Sequence, residues 1–299
     1  QWFWLNPAGS WMLSFASDFF AKQTVPWVNS ISYAWSEYDQ CSGTAGRDCH
    51  TFGVNNDQLV NRTNIEFQKI GLRGVSLFVA SGDSGAHGRT DQGCNKPHFT
   101  PDFPACSPYV TSVGATYREN PTYLAASTLP CDPYCVSGGE EVAVSYKANR
   151  YVAGGGFSHL SPMPDYQKAA VNAYLTSGVE LPQKTTYNAS NRAFPDVSMD
   201  GFSILVYSSG TQFSGESGTS ASAPSFSAVA SLLVDHSLST TQKPLGFMNP
   251  LLYQMNAAHP NTFNDITIGD NNCTEGGCGL LHKCEGAVRG GGWGKVREG

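Results

Sequence analysis

The stretch Ser217-Gly218-Thr219-Ser220-Ala221-Ser222-Ala223-Pro224 is followed by apolar residues at Phe226, Val229, Ala230 and Leu233, which is a helical spacing. Ser220 therefore stands at the mouth of a helix. The first N–H groups of a helix lack partners and its dipole favours negative charge, which suits a hydroxyl that must become an alkoxide. Gly218 lets the backbone bend sharply and leaves room for a substrate, and Pro224 is read as a tolerated first-turn residue. A Ser/Thr-rich cap without chemistry is the competing reading of a bare Gly-Thr-Ser. The full eight-residue order weighs against it.

Outward from this helix the chain alternates strand and helix, which implies an α/β fold with a parallel sheet. Helical spacing covers Ser10 to Lys22, with Trp11, Phe15, Phe19 and Phe20 on one face, and residues 57–72 through Leu59, Ile65 and Ile70. Strands are expected at Val28 to Trp35, Val75 to Ala80, Val110 to Thr116 and Phe202 to Ser208. Further helices are expected at Tyr166 to Thr176, Ser222 to His236 and Asn249 to Asn256. Gly/Pro-rich loops at 84–108 and 119–164 are long enough to be functional.

The 299 residues, 40% hydrophobic and 14% charged, describe a packed globule of one large or two small domains. A net charge of −6 without a Lys/Arg cluster argues against nucleic acid and against an anionic membrane surface. No run of apolar residues is long enough to span a bilayer. Nine cysteines with short spacings, such as Cys41 to Cys49 and Cys131 to Cys135, point to disulfides and an oxidising compartment. Zinc competes weakly, because paired C-x-x-C spacing is missing. The odd count leaves one thiol over, and Cys106 is the choice. Sequons at Asn61, Asn188 and Asn272 agree with secretion. The opening at Gln1, without Met or signal peptide, reads as a processed or partial chain.

The apolar strand ending at Ala80 runs into Ser81-Gly82-Asp83-Ser84-Gly85, so a carboxyl sits at the carboxyl end of a central strand, where sites form in open α/β sheets. Read alone, Asp83 is equally a turn cap. Its pairing with the Ser220 motif shifts the balance toward chemistry.

The segments SLFVASGDSGA (76–86), FPACSPYVTSVGAT (103–116), GGGFS (154–158), FPDVSMDG (194–201), SGTSASAPSF (217–226) and LGFMNPLLY (245–253) resemble, in order, the sedolisins or serine-carboxyl peptidases, and above all their tripeptidyl-peptidases. The resemblance implies a subtilisin-like three-layer α/β fold with a mostly parallel seven-stranded sheet flanked by helices. It makes residues 1–299 one catalytic domain without its N-terminal part and C-terminal tail. Ser220 is then the nucleophile, and Asp83 lies in the oxyanion hole, where subtilisins proper carry Asn. A carboxyl donates to an oxyanion only when protonated, so the site favours acid. None of the seven histidines (His50, His87, His98, His159, His236, His259, His282) has a catalytic context, and most read as solvated or loop residues.

A serine hydroxyl needs a base, which in this family is a Glu supported by an Asp one helical turn later. No Glu-x-x-x-Asp occurs here, and Glu37 and Asp39, two apart on an extended segment, do not substitute. The expected source is an upstream segment. The alternative is an inactive peptidase-like protein that binds peptides or serves as a structural scaffold.

Ser32-Tyr33-Ala34 resembles the family's Ser-Tyr-Gly edge, whose backbone pairs with an extended peptide, although an ordinary strand end has equal weight. Calcium is the implied cofactor, with Asp265 and Ile266 matching the first half of the family's site and Gly286 standing in a poorly matching second half. The resemblance also suggests bridges Cys94–Cys278 and Cys273–Cys284. Cys41–Cys49 and Cys131–Cys135 follow from spacing alone. The partners implied are a peptide or unfolded protein substrate and the protein's own propeptide or upstream segment. The setting implied is lysosomal or extracellular.

Overall fold

The computed structural model describes residues 4, 11–42, 45–120, 122–123, 136–208, 212–279 and 284. Four strands, β1 (Val28–Ile31), β2 (Ser76–Ala80), β3 (Thr111–Glu119) and β5 (Val197–Asp200), lie side by side in parallel, in the order β1-β2-β3-β5. Strand β4 (Glu140–Ala143) pairs antiparallel with the end of β3, Thr116 opposite Ala143 and Glu119 opposite Glu140. The sheet is mainly parallel, as expected. Its described part has five strands where the resemblance implied seven.

Strand β2 shows why the sheet is covered on both sides. All five of its residues are buried, and their side chains alternate between two cores. Leu77 and Val79 point into a cluster with Phe15 and Phe19 of α1 (Met12–Ala21) and Phe67 and Ile70 of α2 (Asn56–Leu72). Phe78 and Ala80 point the other way, into a cluster with Ala223 and Ala230 of α4 (Thr219–Thr241) and Leu252 of α5 (Asn249–Ala258). The result is three layers, helix, sheet and helix. A further helix, α3 (Lys168–Thr176), continues from the single turn Asp165–Gln167, and Asn191–Phe194 pairs antiparallel with Gly156–Pro162.

Several elements differ from expectation. The segment Ile204–Ser208 folds with Gln212–Glu216 into an antiparallel hairpin outside the main sheet, and Val197–Asp200 takes the edge position. Loop 119–164 contains β4 and Gly156–Pro162. Trp35 leaves β1 and, with Ser36, pairs with Asp102–Phe103. Phe20 is exposed, and Lys69 and Arg73 hold their charges over its ring. On α4 the buried stripe is Ala223, Ser227, Ala230 and Val234, whereas Val229 and Leu233 face out.

Three bridges join Cys41 to Cys49, Cys94 to Cys278 and Cys273 to Cys284, and Cys106 is free and buried. The Cys131–Cys135 pair lies outside the described residues. Asn61 and Asn188 are exposed, whereas Asn272 is buried against Cys273. No described helix is long and apolar enough to cross a membrane.

A buried ion pair ties the layers together. Arg192 is fully buried and bonds the Asp196 carboxylate and the Ser107 carbonyl. Asp196 also accepts the Ser112 N–H at the start of β3 and the Tyr253 hydroxyl of α5. Removing one partner strands a buried charge, so Arg192→Leu is expected to cost roughly 3–5 kcal/mol, read as a lower urea midpoint. An unchanged midpoint would show that the pair does not support the fold.

The short pair Trp35–Ser36 and Asp102–Phe103 carries two more buried carboxyls. Glu37 accepts from the Ser158 hydroxyl at 2.7 Å and the His159 N–H at 2.5 Å, and burial pushes its pKa up. Burial likewise pushes Asp102 up to about 7, and one of its oxygens lacks a hydrogen-bond partner. An unfolded aspartate loses its proton near pH 4, so the folded chain holds that proton more tightly, and stability is lost as pH rises between about 4 and about 7. Thermal melts across this range are expected to show a shallower fall for Asp102→Asn than for the unaltered protein. Parallel curves would mean that Asp102 is not held protonated.

Candidate active site

The carboxyl ends of β1 and β2 and the first turn of α4 converge, because the parallel sheet delivers all its strand ends to one edge. Strand β2 ends into Gly82-Asp83, and Asp83 reaches across to the helix mouth. Its Oδ1 accepts the Thr219 N–H at 2.8 Å and lies 2.9 Å from the Thr219 hydroxyl. That hydroxyl also accepts the Gly82 N–H at 3.2 Å. One oxygen of Asp83 is thus committed to an orphan N–H of the helix, which satisfies the helix start and fixes the carboxyl plane. Oδ2 is left for other work.

Gly218 precedes the helix at φ +134°, a conformation that L side chains rarely adopt, and a Cβ there would stand 3.4 Å from the Asp83 carboxyl. The Gly154-Gly155-Gly156 segment runs against the same loop, with Gly154 N–H on the Gly82 carbonyl at 2.7 Å. A Cβ at Gly154 would stand 2.1 Å from the Ser81 carbonyl oxygen, so only glycine allows this approach. Both glycine motifs therefore serve to hold Asp83. Tyr151, its hydroxyl on the Gly201 carbonyl at 2.6 Å, is a neutral wall whose pKa is raised by burial first and by Asp83 second.

Ser220 is the second residue of α4 and is exposed. Its hydroxyl donates to the Ser32 carbonyl at 3.2 Å, and the Ser32 hydroxyl donates to the Ser220 carbonyl at 2.9 Å. Pro224 explains the second bond. It is the sixth residue of the helix rather than a first-turn residue, and it has no N–H to give to the carbonyl four residues earlier, which is that of Ser220. Ser32 supplies the missing donor, which stitches the end of β1 to the helix mouth.

Ser220, Asp83 and Ser32 are thus brought together. Tyr33 is 41% exposed beside them, with Trp11 edge-on to its ring at 5.3 Å and the Arg89 guanidinium over it at 5.0 Å, while Ala34 turns inward. Thr219 and Arg89 escaped the sequence reading. Thr219 was legible in principle, since the residue before a helix-mouth serine carries a free N–H; the position of Arg89 depends on tertiary folding. His87 also departs from expectation, being fully buried with Nδ1 2.8 Å from Asp91 Oδ2. Glu37 is committed to Ser158 and His159 and does not serve as a base. Among the described residues no carboxylate or imidazole is hydrogen-bonded to the Ser220 hydroxyl.

Asp265 is exposed and Ile266 half-buried on the extended segment after residue 263, and Gly286 lies outside the described residues. Among the described residues no three His, Cys, Asp or Glu side chains gather as metal ligands.

The sequence profile of the Subtilase family matches residues 28–249. Physarolisin of Physarum polycephalum is 44% identical over 285 residues, covering 93% of this chain and 48% of that protein. Tripeptidyl-peptidase 1 of Canis lupus familiaris is 37% identical over 282 residues, covering 90% of this chain and 42% of its own length. Among solved structures, the Pseudomonas sedolisin, a serine-carboxyl proteinase, superposes with a TM-score of 0.60 at 23% identity, over 87% of this chain and 59% of that one, which shows a shared fold. The chain spans less than half the length of these two curated relatives. It belongs to the subtilase family of serine-type peptidases, as a sedolisin-like member related to tripeptidyl-peptidase 1.

Proposed function

We propose that this chain is the nucleophile-bearing part of an acid-acting serine-carboxyl peptidase, with Ser220 as nucleophile and Asp83 as oxyanion stabiliser. The observation that carries the reading is the bonding of Asp83 to Thr219, the residue before Ser220. It holds a carboxyl against the first turn of the serine-bearing helix through Oδ1, which supports the reading that Oδ2 serves the oxyanion. A protonated Oδ2 would donate a hydrogen bond to the oxygen that becomes negative when the Ser220 Oγ attacks a peptide carbonyl. The scissile C–N bond then breaks, the acyl group stays on Ser220 while the amine leaves with the proton taken from the serine, and water hydrolyses the ester to a carboxylic acid and the free serine hydroxyl.

The base comes, in this reading, from a Glu/Asp pair on a segment of the protein outside these 299 residues. On its arrival the Ser220 hydroxyl exchanges the Ser32 carbonyl for the incoming carboxylate. The backbone edge Ser32-Tyr33-Ala34 then takes the substrate as an added strand. Tripeptide release from free N-termini is the activity proposed, by analogy with the relatives, in an oxidising compartment that suits the three disulfides, lysosomal or extracellular.

The test is turnover of a fluorogenic tripeptide with a free N-terminus in mild acid, using the intact protein. Ser220→Ala is expected to lower kcat by a factor of at least about 10³. Turnover equal in the intact protein and in Ser220→Ala would contradict the reading.

Asp83→Ala is expected to lower kcat by about 10²–10³, the usual cost of one oxyanion donor. Asp83→Asn keeps more activity, and its profile extends to higher pH because an amide N–H donates without having to hold a titrating proton. Both kcat and the alkaline limb of the pH profile are read for this variant. An unshifted limb in an active Asp83→Asn protein removes Asp83 from the oxyanion hole.

A further inference from the structure

Arg89 lies over the Tyr33 ring, one residue along the chain from Ser32, and its guanidinium forms no ion pair among the described residues. Its guanidinium carbon lies 5.0 Å from the centre of the Tyr33 ring, and Trp11 also packs against that ring edge-on. Tyr33 follows Ser32, whose carbonyl receives the Ser220 hydroxyl, so the stack stands one residue along the chain from the group that touches the nucleophile. Among the described residues no carboxylate oxygen lies within 4.0 Å of the Arg89 guanidinium.

The neighbouring acids are occupied. Asp91 is taken by His87 and by the N–H groups of Asn95 and Lys96. Asp83 is held by Thr219. Asp102 lies more than 4.0 Å from the Arg89 side-chain nitrogens, and burial raises that carboxyl to about 7, outweighing the Arg89 charge that draws its pKa down, so that it is largely neutral in acid. In acid, therefore, the positive charge is left to the cleft. Stacking on Tyr33 fixes a planar fork of N–H donors whose shape matches a carboxylate, and a half-buried guanidinium without an acceptor gains from one.

We propose that Arg89 is a specificity-determining residue that binds the carboxylate of an acidic side chain, Asp or Glu, of the bound peptide beside the Tyr33 ring. The inference rests on the peptidase reading above.

The experiment uses the intact protein and peptides carrying Glu, Gln or Lys in turn at each of three positions on either side of the scissile bond. At one position Glu is expected to exceed Gln by about tenfold in kcat/KM at low salt. Arg89→Gln brings that ratio to about one, Arg89→Glu turns the preference toward Lys, and Arg89→Lys restores part of the original preference. A Glu/Gln ratio that none of the three substitutions moves at any position overturns the inference while leaving the peptidase reading intact. The same peptides are also titrated against Ser220→Ala by fluorescence anisotropy. If no peptide is cleaved the peptidase reading fails, and the binding order still decides the role of Arg89: tighter binding of Glu peptides lost in Arg89→Gln supports it, and equal binding of all three refutes it.

Discussion

The bond from the Thr219 N–H to the Asp83 carboxylate is the contact on which the site depends. It joins the end of the second strand to the start of the long helix, the two elements that carry the chemistry. A helix start offers N–H groups with nothing to accept them, and a strand end offers a side chain at the sheet edge. One carboxyl oxygen meets both needs, and the other is thereby oriented. The Ser32 hydroxyl does the same for the first strand, filling the hydrogen bond that Pro224 cannot make.

Polar groups behind the site are buried on a scale that an apolar core alone does not require. Arg192 and Asp196 are paired with each other and with the backbone carbonyl of Ser107 and N–H of Ser112. Glu37 and Asp102 have no such cation bonded to them, and burial raises both. The first arrangement is stable with its charges formed, and the second is stable with its protons on. A fold that carries the second kind is suited to acid, in agreement with a carboxyl that must be protonated to stabilise an oxyanion.

The local parts of the site were legible in the sequence, and the parts made by distant segments were not. Ser220, Asp83 and the glycines beside them sit in short motifs whose constraints are steric and local. The three described bridges and the buried Cys106 were also anticipated. The strand expected at Phe202 to Ser208 forms over Ile204–Ser208, but it pairs in a hairpin outside the main sheet, while the plainer Val197-Ser198-Met199-Asp200 takes the sheet edge, where Asp196 accepts the Ser112 N–H of β3. Val229 and Leu233 fit a helical period, yet small residues on the next face pack closer to the sheet. The reciprocal bonds of Ser32 and the Arg89 stack join positions far apart in the chain, which no local pattern encodes.

The most direct measurement of the central claim is covalent labelling of the intact protein with a peptidyl fluorophosphonate in mild acid, followed by mass-spectrometric mapping of the adduct. A single adduct on Ser220 is expected, formed more slowly when Asp83 is replaced by Ala. Labelling of another serine, or none while the protein hydrolyses peptides, would contradict it.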